Sequence, residues 1–167
     1  MTAQLFVKFL ADGAILPIIV IAGYALLFLV PKSNRFEAYA RILMAGLTAY
    51  LLAKLLASVY QPSGERPFQI LGVAPGASYL DNPGFPSDHA LFTAFLTLAV
   101  WFETRRKGLA ITLAVLTLMV CVGRVLALVH TPLDVAGGLV VASVGALWYL
   151  QRGNVTTQQT LAKKTKS

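Results

Sequence analysis

The 167-residue chain is 57% hydrophobic and only 13% charged, with a mean hydropathy of +0.70, which excludes an ordinary soluble domain and points to a membrane protein. Its 14 Lys and Arg against 7 Asp and Glu give a net charge of +7, a balance that suits nucleic acid or an anionic membrane surface until positions are considered. The single cysteine, Cys121 in an apolar run, excludes an internal disulfide and a cysteine-rich metal site and reads as a small buried hydrophobe.

A helix needs about 20 mostly apolar residues to cross the hydrocarbon core of a bilayer. The opening stretch MTAQLFVKFLADG lacks the pattern of a removed signal peptide, and either lies flat on the membrane or extends the first span. The first predicted span is 13–30, ended by Pro31. The second is 38–60, with Arg41 near one end and Lys54 near the other, where charge is tolerated by snorkelling or pairing. Residues 61–86 hold five prolines and four glycines and read as an extended loop. Three more spans follow at 87–102, 108–129 and 132–150, then a polar, Lys-rich tail, 151–167. The expectation is a single all-α domain, a polytopic membrane bundle of about five transmembrane helices without internal repeats.

Five spans put the two ends on opposite sides, and short-loop Lys and Arg identify the cytoplasmic one. One side collects Lys32, Arg35, Arg41, Arg105, Arg106, Lys107, Arg152, Lys163, Lys164 and Lys166; the other has only Lys8, Lys54, Arg66 and Arg124. The excess charge is thus mostly a topology signal and not a nucleic-acid footprint. It predicts an outer N-terminus and a cytoplasmic C-terminus, and puts the 61–86 loop and the turn between the last two spans together on the outer face. Trp101, Trp148 and Tyr149 are expected at the inner interface.

Ionisable groups at membrane depth are costly, so each needs a partner or a task. Both histidines, His89 and His130, fall at outer span ends, inside short segments suited to anions. Ser87 is a good N-cap for the third span, and the first turn it opens, holding Asp88 and His89, favours an anion through its backbone N–H groups. Arg66 and Arg124 offer planar, charged forks for phosphate oxygens, and Lys54 adds a point charge. Thr131 can cap the fifth span with Pro132 at its first position and Asp134 at its third. His130 then lies just before the helix, with Asp134 near enough to accept a hydrogen bond from one ring nitrogen and leave the other free to attack. Singly, each feature has a plain structural explanation: an interfacial histidine, a capping box, a lipid-headgroup contact. Their joint order does not.

That order, RP at Arg66-Pro67, then PSDH, then GR-VLALV-HTPLD, resembles the three-part signature of the type 2 phosphatidic acid phosphatase superfamily. The stretch DNPGFPSDHA further resembles bacterial undecaprenyl diphosphate phosphatases of the BcrC type. The resemblance implies that His130 attacks phosphorus to form a phosphohistidine and that His89 protonates the leaving oxygen. Asp134 orients His130, and Lys54, Arg66, Ser87, Asp88 and Arg124 surround the phosphate. Neither metal nor cofactor is implied. The expected partners are membrane lipids and a lipid phosphate or diphosphate: undecaprenyl diphosphate first, phosphatidic acid or phosphatidylglycerol phosphate as alternatives. A non-catalytic lipid-phosphate-binding protein is the reading from another class. Three positions depart from the family pattern. Eleven residues separate Lys54 from Arg66, a wider gap than usual; Asp88 replaces a common glycine; and Gly123 replaces a common serine, losing a hydroxyl to phosphate.

Overall fold

The computed structural model describes residues 2–62, 64–82 and 84–151. The predicted tail, with Arg152, Lys163, Lys164 and Lys166, lies outside the described residues apart from Gln151. Every regular element among the described residues is helical. The chain begins with α1 (Thr2–Lys8), one π-helical turn (Phe9–Gly13) and α2 (Ile15–Phe28), then a 3₁₀ turn (Lys32–Asn34) and α3 (Arg35–Val59). A short α4 (Pro67–Ile70) interrupts the loop; α5 (Asp88–Glu103), α6 (Lys107–Leu126) and α7 (Pro132–Gly145) follow, and a 3₁₀ segment (Ala146–Gln151) continues α7.

Four stretches are long and apolar enough to cross a membrane: Thr2–Phe28, Lys32–Val59, Lys107–Leu126 and Pro132–Leu150. The first therefore starts well before the predicted residue 13, because the N-terminal residues continue the helix through the π turn. The fourth predicted span ends earlier than expected, at Leu126. Leu128, at φ 59°, occupies the left-handed region and breaks the helix before His130. The third expected span, α5, has 16 residues and rises only about 24 Å, short of a hydrocarbon core of about 30 Å. It is the helix around which the others gather, in contact with α2, α3, α6 and α7.

The packing follows from where small residues fall. On α3 the buried positions are Ala38, Ala45, Ala49 and Ala53, while Leu43, Leu47, Leu51 and Leu55 face outward. Lipid is as apolar as leucine, so large side chains gain nothing by turning inward, whereas small ones let backbones approach. Gly145 illustrates the approach: a Cβ there would lie 2.4 Å from the Ala45 carbonyl oxygen of α3. Gly138 does the same near the site, where a Cβ would lie 2.6 Å from the Ser87 carbonyl oxygen. α7 is thereby pressed against the start of α5.

At the opposite end of the bundle, Arg41 of α3 donates from Nε and Nη2 to the two carboxylate oxygens of Glu103 at 2.7 and 2.9 Å. Tyr149, expected at the interface, is instead buried and stacks on Phe102 at 5.2 Å between ring centroids. Trp148 donates from Nε1 to Thr48 Oγ1 at 2.9 Å, and Lys107 lies 4.0 Å over the Trp101 ring. Removing Glu103 would leave the largely buried Arg41 only the exposed Glu37 carboxylate, at 3.7 Å, as counter-charge among the described residues. Glu103→Ala should therefore destabilise the bundle by about 3 kcal/mol, read as a lowered thermal midpoint in detergent. Ligand affinity at the far, histidine-bearing end should stay unchanged in the fraction that remains folded.

Candidate active site

The start of α7 is built as its sequence predicts. Asp134 N donates to Thr131 Oγ1 at 3.1 Å, Thr131 N donates to Asp134 Oδ2 at 2.7 Å, and Pro132 fills the first helical position. His130 is buried just before this cap, with its Nδ1 3.6 Å from Asp134 Oδ2. That separation is an electrostatic contact somewhat longer than the hydrogen bond expected from sequence, because the capping N–H of Thr131 already draws the same oxygen. Burial holds the His130 imidazole below the usual histidine range; Asp134 opposes this, and Arg124 and Arg66 reinforce it.

α5 starts against the same residue, since Ser87 N donates to the Asp134 backbone carbonyl at 2.9 Å. Ser87 is fully buried and its hydroxyl accepts from Ala90 N at 3.5 Å, the expected N-cap in a loose form. His89 thus enters in the first turn of α5, near the α7 cap that carries His130.

The two arginines are held differently. Arg66 sits at the N-cap of α4 and spends its guanidinium on the loop, donating to the Val129 carbonyl from Nη1 and, from Nη2, to Leu80 O at 3.1 Å, Asn82 O at 3.1 Å and Asn82 Oδ1 at 2.9 Å. Burial pulls it below the ordinary arginine range, with the Asp134 carboxylate acting the other way. Arg124, in the last turn of α6 and 1% exposed, donates from Nη1 to Asp12 Oδ1 at 2.9 Å. Its buried Nε has no hydrogen-bond partner among the described residues, and neither does His130 Nδ1.

A cavity of about 40 Å³ brings together His89, His130, Arg66, Arg124, Asp88 and Gly84. That is room for roughly three water-sized positions, comparable to the non-bridging oxygens of one phosphoryl group. Two clefts of about 290 Å³ each adjoin it. One shares Arg66, Asn82 and Gly84 with the cavity and carries Glu65, Asp81 and Asp134; the other shares Asn82, Pro86 and Asp88 and carries Lys54 and Ser58. Lys54 therefore lies next to the inner cavity and not in its wall, paired with Asp88 at 3.6 Å, with both side chains about half exposed. The Asp88 carboxylate beside His89 is accordingly shared with a lysine.

Gly84, Asn82 and Asp12 are the site residues that sequence reasoning missed. A Cβ on Gly84 would stand 3.4 Å from Asp134 Oδ2 and 3.8 Å from both Arg66 Nη1 and His130 Nδ1, so this glycine keeps the middle of the site open. Its only signal in the sequence is its place three residues before Ser87, within DNPGFPSDH. Gly84→Ala should leave the thermal midpoint nearly unchanged, because only ordinary van der Waals contacts await its Cβ. The same change should weaken inorganic phosphate binding by about tenfold or more, equivalent to about 1.4 kcal/mol, measured by titration of the detergent-solubilised protein.

Among families of known proteins, the PAP2 superfamily model matches residues 37–157, well over half of the chain. No curated protein and no solved structure matches it significantly. The matched region contains Lys54, Arg66, Ser87, Asp88, His89, Arg124, His130 and Asp134. The chain belongs to the PAP2 superfamily, whose members are phosphatases, and hydrolysis of a phosphoric ester is the activity that this membership supports.

Proposed function

We propose that the protein is an integral membrane lipid phosphatase that removes the terminal phosphate of a lipid diphosphate, with undecaprenyl diphosphate the preferred substrate. The observation that carries this reading is the 40 Å³ cavity, where both histidines meet two buried guanidinium groups, one with an unpartnered Nε. An oxyanion supplies the acceptor that such a buried donor lacks.

The reaction runs in two steps. A ring nitrogen of His130 attacks phosphorus while the bond from phosphorus to the leaving oxygen breaks, and His89 gives that oxygen its proton. Water then attacks the phosphohistidine, His89 takes the water's proton, and inorganic phosphate leaves. Asp134 stabilises the charge that develops on His130. Arg66, Arg124 and the α5 first turn at Ser87 and Asp88 face the charge gathering on the equatorial oxygens. The depressed His130 imidazole suits this role, since a nucleophile must be unprotonated at working pH.

The diphosphate preference rests on the Lys54 cleft. The Lys54–Asp88 pair is half exposed, and such pairs contribute about 0–1 kcal/mol, so a phosphate oxygen readily replaces the carboxylate at Lys54. A second phosphate, the leaving group, fits there beside the reacting one. Phosphatidic acid presents no such group.

Release of inorganic phosphate from detergent-solubilised undecaprenyl diphosphate, phosphatidic acid and phosphatidylglycerol phosphate tests the assignment. The diphosphate should be fastest, and equal rates across the panel would sink the undecaprenyl assignment while leaving phosphatase chemistry intact. His130→Ala should lose at least about a thousandfold in kcat; wild-type turnover in that variant would remove the mechanism. Lys54→Ala should cost kcat/KM about tenfold more on the diphosphate than on phosphatidic acid. The acidic limb of kcat/KM should fall below about pH 6.5, because protonation of His130 abolishes attack and its pKa is lowered.

A further inference from the structure

Position 123 shows what the N-terminal segment does. A Cβ on Gly123 would meet Ala11 N at 2.6 Å, the Leu10 carbonyl carbon at 2.7 Å and Ala11 Cα at 2.9 Å, all backbone atoms that cannot step aside. The serine expected at this place is therefore excluded by the segment packed against α6. That segment is not regular helix: Phe9–Gly13 forms one π-helical turn, closed by Ala14 N donating to Phe9 O at 3.0 Å. Such insertions interrupt the α-helical register and are frequent at functional sites. Here the turn brings Asp12 to α6.

Both oxygens of Asp12 are used. Oδ1 accepts from Arg124 Nη1 at 2.9 Å, and Oδ2 accepts from Ser78 N at 2.9 Å. The carboxylate is thus held between two donors and engages one terminal nitrogen of the guanidinium. The Nε edge of Arg124 is left without a partner among the described residues, and Arg124 lines the cavity that holds His89 and His130. Asp12 lies before residue 37, where the family match begins, so the grip is an addition from outside the matched region.

We propose that Asp12 is a positioning residue for phosphate recognition: it holds Arg124 by one edge so that the remaining donors meet a phosphate oxygen, and Gly123 exists to let it approach. The inference rests on the phosphatase reading for its catalytic consequence, though not for the binding of phosphate itself. Asp12→Asn keeps the size and removes the charge, and it sets an amide N–H₂ against either Arg124 or Ser78.

The test is a double-mutant cycle on the full chain in detergent, combining Asp12→Asn with Arg124→Lys, with inorganic phosphate affinity and kcat as readouts. Asp12→Asn alone should weaken phosphate binding about tenfold and lower kcat by more. Adding Arg124→Lys to it should cost far less than Arg124→Lys costs in the wild-type chain. Wild-type phosphate affinity in Asp12→Asn, or effects that simply add, would overturn the proposal. Asp12→Glu, which preserves the charge while lengthening the reach, is the conservative control: it should retain phosphate affinity closer to wild type than Asp12→Asn does, and a loss as large as that of Asp12→Asn would overturn the proposal. Wild-type lipid turnover is measured alongside. Its absence counts against the phosphatase reading, and the phosphate titration then decides the Asp12 role by itself.

Discussion

One carboxylate ties the histidine-bearing end of the bundle together. Asp134 accepts the Thr131 N–H on Oδ2 to start α7, accepts the Ser87 N–H on its backbone carbonyl to place α5, and lies 3.6 Å from His130 Nδ1. Helix starts leave backbone donors unsatisfied, and in an apolar surrounding each must find a partner within the protein. Satisfying two of them at one residue fixes the separation of α5 and α7, and with it the position of His89 relative to His130. The glycine at 138 is the steric counterpart, since only a missing Cβ lets the Ser87 backbone come so close.

The two arginines show two ways in which a buried guanidinium is held. Burying a guanidinium is costly unless its donors are met. The loop meets those of Arg66, wrapping Leu80 and Asn82 around one nitrogen and presenting the Val129 carbonyl to another. Arg124 is met on one side by Asp12 and left open on the other. Arg66 therefore organises the rim and Arg124 keeps a donor in reserve. The difference could not be read from two arginines that look equivalent in sequence.

What the sequence made legible was local. The Ser87 and Thr131 caps, Pro132 at the first position of α7, and Asp134 one turn beyond His130 are all set by residues within one or two turns. What it hid was distant or depended on close packing. Asp12 and Arg124 are 112 residues apart, and nothing periodic links them. The π turn leaves no pattern in a run of apolar residues. Gly123 appeared as the loss of a phosphate-binding hydroxyl, whereas its reason is the backbone of Leu10 and Ala11. Tyr149 looked interfacial because aromatic rings gather there, yet its ring stacks on Phe102 inside the bundle. The extent of α5 was legible to within one residue, 88–103 against the expected 87–102, although its 16 residues fall short of a bilayer core, which a helix enclosed by four others need not match.

The two clefts that adjoin the inner cavity are of equal volume but differ in charge. Glu65, Asp81 and Asp134 line one, while Lys54 stands in the other beside a carboxylate it can exchange. At an effective dielectric constant of about 20, two unit charges roughly 8 Å apart interact by about 2 kcal/mol, enough to orient an anion by more than tenfold. A phosphate seated among His89, His130 and Arg124 thus has one direction in which a further anionic group is repelled and one in which it is welcomed. In the proposed reaction the leaving phosphate departs toward Lys54, on the face of phosphorus opposite His130, and water then attacks the phosphohistidine in line from that same vacated face. Lys54 thus holds the departing group, His89 serves the leaving oxygen and the attacking water in turn from one face, and the missing side chain at Gly84 leaves the middle of the site open for the phosphoryl group.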